Sequence, residues 1–146
     1  MGWPRRPARC ALGPGIHRGQ YDNFGPEAQR DHYTRALERW RLVDTGVSWS
    51  VAHSGWKIAQ HPAWNDMLSR AGRDFDVLVV GYASRFARSL EAHVDARRLF
   101  HAAGAAILFV DERVLTSDED AWERWAREAV EAEAYSRKLS RRVGKG

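Results

Sequence analysis

The chain has 146 residues, enough for one buried core and too few for two domains of ordinary size. With 44% hydrophobic and 29% charged residues it has the composition of a folded, water-soluble domain, which argues against a disordered chain. A single cysteine, Cys10, excludes an intrachain disulfide and a cysteine-rich zinc site, and the formal net charge of +4 favours polyanionic partners.

No apolar run reaches the roughly 20 residues that span a bilayer. The opening residues also lack the apolar core of a signal peptide, so the sequence predicts a cytoplasmic protein with no membrane association. Residues 1–19 carry three prolines and several glycines with no sustained period, and they read as loop or tail without a strand. Gly25-Pro26 then opens a helix. Pro26 suits its first turn, and Gln29, Tyr33, Ala36, Leu37 and Trp40 recur at helical spacing. Leu42-Val43 leads into Asp44-Thr45-Gly46-Val47-Ser48, a strand ending in a turn, and Trp49 to Gln60 reads as irregular loop. His61-Pro62 starts a short second helix whose face is marked by Trp64, Met67, Leu68 and Ala71 and which closes at Gly72.

Phe75 to Val80 is a nearly continuous apolar run, the pattern of a strand buried on both faces. After Gly81-Tyr82-Ala83 a third helix is predicted from about Ser84 to Ala103, stopping at Gly104, and Ala105 to Val110 makes a second buried strand. Strand, helix, strand in that order is a parallel βαβ unit. Thr116 to Asp120 caps a last long helix, with Ser117 and Asp120 in capping-box spacing. Trp122, Trp125, Ala126, Ala129, Val130, Tyr135, Leu139 and Val143 form an apolar stripe along it. Acids come early in this helix (Glu123, Glu128, Glu131, Glu133) and bases late (Arg137, Lys138, Arg141, Arg142, Lys145). One or two late bases would merely complement the helix dipole; five suit a polyanion. The expected fold is α/β, a small mostly parallel sheet flanked by helices and followed by a long C-terminal helix. It divides into an atypical segment 1–19, a core 20–120 and the helix 121–146.

The segment from Val80 to Ser89 follows a buried strand, and ligands of open parallel sheets bind beyond the carboxyl ends of strands. Arg85 and Arg88, three residues apart, are expected on one first helical turn. Two guanidiniums beside the positive end of a helix make a phosphate receptor. From spacing alone, a solvated pair of arginines is the simpler reading. A nucleotide-binding domain is disfavoured, because neither G-x-G-x-x-G nor a Walker lysine motif is present.

Several ordered segments change that balance. Phe75 to Arg88 resembles the serine recombinase signature in which a buried strand is followed by Asp-Arg-Leu-x-Arg. Asn23 to Arg30 resembles the start of that family's first helix with its glutamine, and Asp44 to Ser48 resembles its D-x-G-V-S turn. Pro62 to Leu68 resembles its Arg-Pro helix, and Ala105 to Glu112 the strand before its long dimer helix. From Gln20 to Gly146 the chain thus resembles the three-layer catalytic domain of serine recombinases of the resolvase/invertase and large serine integrase type. That resemblance implies DNA strand exchange by transesterification without metal or cofactor, in which a serine hydroxyl attacks a phosphodiester and holds the DNA end covalently. It implies that Arg85 and Arg88 hold the scissile phosphate, because planar donors neutralise charge on the non-bridging oxygens. Gln29, Ser48, Ser84 and His61 support the site. Arg137, Lys138, Arg141, Arg142 and Lys145 lie along DNA, and the apolar stripe packs on a partner subunit in a homodimer or higher oligomer.

The chain departs from the family at three places. Where the family has Arg-x-Ser after its first strand, this chain reads Gly15-Ile16-His17-Arg18, and no serine precedes Ser48. His61 stands for an arginine and Ser84 for an aspartate; Ser84 can still cap a helix and His61 can still donate to a phosphate. The nucleophile is therefore unassigned. Imidazole can attack phosphorus, but a lone His17 in a glycine-rich segment is more often incidental, and in the family the turn holding Ser48 supports the site without attacking. A shifted reading frame over the first residues would account for both the lost serine and the lost first strand. Failing that strand, residues near Ala8 to Ile16 must fill its place in the sheet or the sheet must be short. The chain ends where the family's separate DNA-binding domain begins. The sequence thus predicts a truncated recombinase domain unable to cleave DNA as written; the alternative is a non-enzymatic DNA-binding or dimerisation module derived from one.

Overall fold

The computed structural model describes residues 7–13, 26–49 and 62–144, with side chains from 33 in the first helix and up to 142 in the last. Val77–Val80 (β3) and Ala106–Phe109 (β4) lie side by side in parallel, Val77 opposite Ala106 and Val80 opposite Phe109, with every residue buried. Burial of successive strand residues requires cover on both faces, because neighbouring side chains point to opposite sides. On one face, Cys10, Leu12, Val77, Val79, Leu108 and Val110 pack beneath Tyr33, Ala36 and Leu37 of a helix spanning Pro26–Arg39 (α1) and beneath Trp40 just past its end. On the other, Ala11, Leu78, Val80, Ile107 and Phe109 meet the helices Pro62–Arg70 (α2), Leu90–Ala102 (α4) and Glu119–Gly144 (α5). Trp64 of α2 stacks on Phe100 of α4 at 5.4 Å, and Phe86 meets Trp64 edge-on at 6.2 Å. The result is the expected three-layer α/β arrangement.

The opening segment is where the sequence reading fails. Ala8–Leu12 is a strand, β1, with both edges occupied: it pairs in parallel with Leu42–Ser48 (β2) on one side and with β3 on the other. The sheet order is β2-β1-β3-β4-β5, where β5 is Val114–Leu115, antiparallel to β4. The loop reading rested on the prolines and glycines of the opening segment and its lack of a sustained period. Pairing along both edges outweighs that weakness. Arg9, the one charged residue of β1, is accommodated by Asp76: the carboxylate accepts from the Arg9 backbone N–H (2.9 Å), Nε (3.2 Å) and Nη2 (3.1 Å). Residues near Ala8 thus fill the gap, and the sheet is not short.

The predicted single helix from Ser84 to Ala103 is two. A four-residue helix, Ala83–Phe86 (α3), ends at Ala87, whose backbone is extended (φ −156°, ψ 155°). Ser89 then caps α4, its hydroxyl accepting from Ala92 N–H at 3.1 Å. A serine in extended conformation followed by helix is a stronger local signal than continued helical propensity. The cap of α5 is likewise Asp118, which accepts from Ala121 N–H at 3.2 Å, and not the predicted Ser117. α5 packs its first turns through Ala121, Trp122, Trp125 and Ala126, while every side chain from Glu131 to Arg142 is exposed. No described helix is long and apolar enough to cross a membrane.

Candidate functional site

The chain after β1 goes through α1 to β2 on one side of the sheet, while the chain after β3 goes through α3 and α4 to β4 on the other. Adjacent parallel strands whose connections depart in opposite directions leave a crevice at their carboxyl ends, where α/β proteins bind ligands. Three strand ends converge on this crevice. Leu12 of β1 lies opposite Ser48 of β2 and opposite Val79 of β3, and Trp49 and Gly13 continue the edge, with Trp49 N–H donating to Leu12 O and Gly13 N–H to Val79 O, both at 2.8 Å. Ser48 is exposed there, and β3 runs out through Gly81 and Tyr82 into α3.

α3 and its exit carry the two arginines, which do not share a helical turn as spacing suggested. Arg85 is on α3 and half-buried; Arg88 lies in the extended link between α3 and α4 and is exposed. The Arg85 guanidinium stands 5.5 Å from the centre of the Tyr82 ring, and its Nε donates to the Tyr82 hydroxyl. Arg9, Arg70, Arg97 and Arg98 are all paired with carboxylates. Among the described residues, Arg85 and Arg88 form no such pair.

α3 is fixed from outside itself. Its N-cap residue, Tyr82, contributes no side-chain cap; the Ala83 N–H donates instead to both oxygens of Glu112, at 2.9 and 3.2 Å. Ser84, exposed inside α3, is therefore not the cap the sequence suggested. Glu112 is half-buried, and burial pushes its carboxyl pKa up against the opposing effect of the Ala83 hydrogen bond. At the other end of α3, Ala87 O accepts from Nε2 of His93, a buried residue of α4, at 2.9 Å. The ring of His93 sits among Phe86, Phe109 and Trp125, with centres 5.9, 5.4 and 5.0 Å away, and burial pushes its pKa down. Glu133 of α5 reaches the same region, accepting from Leu90 N–H at 3.3 Å.

Of the other residues expected here, Gln29 lies in the first turns of α1 but its side chain is outside the described residues, as are His61, Lys145 and His17. Arg137, Lys138, Arg141 and Arg142 are exposed on the free half of α5 and are not drawn onto the sheet. Sequence reasoning missed Tyr82, His93 and Glu112. His93 was findable, since it shares helical spacing with the buried Ala96 and Phe100; Glu112 carried only the weak signal of a carboxylate just past a buried strand.

A family model described as Resolvase, N terminal domain, matches residues 18–146. The chain belongs to this serine recombinase family. The match starts after β1, so the strand that completes the sheet of this resolvase-type domain lies outside the matched stretch. The N-terminal catalytic domain of TP901-1 integrase has a similar fold, with TM-score 0.59 and 17% identity over 90% of this chain and 98% of that one. So does a resolvase family site-specific recombinase from Streptococcus pneumoniae, with TM-score 0.56 and 16% identity over 94% of this chain and 95% of that one. No curated protein matches the chain. At these identities the structural likeness concerns the fold alone.

Proposed function

We propose that this resolvase-type domain is a serine recombinase catalytic domain that engages the DNA backbone through Arg85 and Arg88 and that, as its sequence stands, does not cleave it. The observation that carries this reading is the pair of arginines free of carboxylate partners at the switch point of the sheet, in a chain of this family. Strand exchange by transesterification requires a nucleophile, a leaving 5′ or 3′ oxygen and donors for the non-bridging oxygens. Guanidiniums supply the last. Ser48, Ser84, Gln29 and His61 are supporting groups, and the first requirement is unmet because no serine precedes Ser48 in the sequence.

The exposed bases Arg137, Lys138, Arg141 and Arg142, with Lys145, extend the contact along the duplex. Counterion release makes such binding steeply salt-dependent and nearly indifferent to sequence, with a log–log slope of about −0.9 per phosphate neutralised. Titration of the full chain with a short duplex at several salt concentrations tests this. Arg85→Ala and Arg88→Ala should each weaken binding about tenfold, and a flat salt response would overturn the reading. Incubation with supercoiled DNA under denaturing quench should trap no covalent protein–DNA adduct; an adduct overturns the claim of no cleavage.

One observation favours a second reading. Val130, Tyr135 and Leu139 are exposed large apolar side chains on α5. A second copy or a related recombinase seated on this stripe would make the domain a dimerisation module. Mixing it with an active relative discriminates the two, since lost recombination without cleavage by this chain favours the module.

A further inference from the structure

A helix of four residues has no stability of its own, because nucleation is unfavourable and few hydrogen bonds repay it. Whatever sets the conformation of α3 must therefore come from its neighbours, and the structure supplies one contact at each end. Glu112, in the turn after β4, accepts from the first N–H of α3 with both carboxylate oxygens. His93, on α4, bonds the carbonyl of Ala87, the residue that ends α3.

Each contact is hard to explain as packing alone. A carbonyl only accepts, so His93 carries its proton on Nε2, and Nδ1 is left as a bare buried nitrogen without a hydrogen-bond partner in an aromatic box. A phenylalanine would fill that box without this cost but could not donate to Ala87. Glu112 places a half-buried carboxylate at the foot of the helix that bears Arg85, with Arg88 just past its end, where Coulomb's law alone makes an anionic ligand less welcome. Its presence follows if what matters is the reach of its oxygens to Ala83.

We infer that Glu112 and His93 are positioning residues, holding the two ends of α3 from opposite neighbours and so setting where the Arg85 and Arg88 guanidiniums stand. The inference rests on the proposed role of those arginines in holding a backbone phosphate. It adds that the role depends on a carboxylate and an imidazole that touch no ligand themselves.

The experiment is a duplex titration of the full chain with paired variants, each checked by thermal melting. Glu112→Asp keeps the charge and shortens the reach; Glu112→Gln removes the charge and keeps an acceptor at the same reach. Positioning predicts that Glu112→Asp binds about fivefold more weakly, while Glu112→Gln stays within about twofold of the parent. A purely electrostatic role predicts the reverse, tighter binding by Glu112→Gln and no change in Glu112→Asp, and that result overturns the inference for Glu112. His93→Phe keeps the aromatic packing and loses the donor; it should also weaken binding about fivefold, with His93→Gln, whose amide reaches the Nε2 position, restoring part of it. Should Glu112→Asp fail to fold, the His93 pair decides, and unchanged binding by His93→Phe overturns the inference. If Arg85→Ala and Arg88→Ala weaken binding while these variants do not, the phosphate reading stands and the positioning inference falls. If the arginine variants themselves leave binding unchanged, both fall.

Discussion

His93 and Glu112 are both perturbed by burial, but their effects on stability run in opposite directions with pH. The His93 pKa is depressed, so the unfolded chain takes up its proton first on acidification. Its contribution is full above the unfolded histidine value of about 6.5 and is lost as pH falls toward the folded pKa. The pKa of His101, half-buried beside Arg97 and hydrogen-bonded to Thr116 Oγ1 at 3.0 Å, is depressed in the same sense. His93→Phe should therefore flatten part of the loss of stability below neutral pH, read from melting temperature against pH, and His101 should account for the remainder. The Glu112 pKa is raised, so its contribution is present below the usual carboxylate range and declines as pH rises through the elevated value. Glu112→Gln should remove that decline and melt no lower than the parent at neutral pH. A lower melting temperature there would mean that the charged form is what Ala83 requires.

Among the connections between elements, the turn from α2 to β3 is the least tolerant. Gly72 has φ +79°, and a Cβ at that position would stand 1.9 Å from the Ala103 carbonyl oxygen. Its N–H donates to Phe75 O at 2.8 Å, closing the turn against the end of α4. Gly72→Ala thus combines an unfavourable dihedral with a backbone clash and should cost about 3 kcal/mol or more in chemical denaturation. Gly104, also at positive φ (+87°), has open space where a Cβ would go, so Gly104→Ala should cost clearly less. These elements also show where the sequence was informative. Val77–Val80 and Ala106–Phe109 were legible because burial on both faces leaves a run of apolar residues that needs no context. The break between α3 and α4 was not, because Ala87 is a good helix former held extended by tertiary contacts. Arg85 and Arg88 were legible as residues but not as geometry. Glu112 was illegible because its partner, Ala83, lies 29 positions away.

For the molecule as a whole, β1 is the hub of the sheet. Among the described residues β2 pairs with β1 alone, and β3 meets β2 only through it. Deleting residues 1–13 should expose one edge of β3 and strand β2 altogether, giving a chain that elutes as aggregate in size exclusion; a monodisperse, folded product would show that the sheet can close without it. The partners of β1 are far off along the chain: the Thr45 hydroxyl bonds the Cys10 carbonyl across 35 positions, and Arg9 meets Asp76 across 67. β1 therefore precedes by a long stretch of chain the strand, β3, that completes its slot. Until β3 is made, only the edge of β1 that faces β2 can find its partner. The β3–α4–β4 unit closes a much shorter stretch of chain than the 67 positions between Arg9 and Asp76, so loop-closure entropy predicts that it forms first and that β1 docks on it late; smaller effects on the folding rate from substitutions in β1 than in β3 and β4 check this.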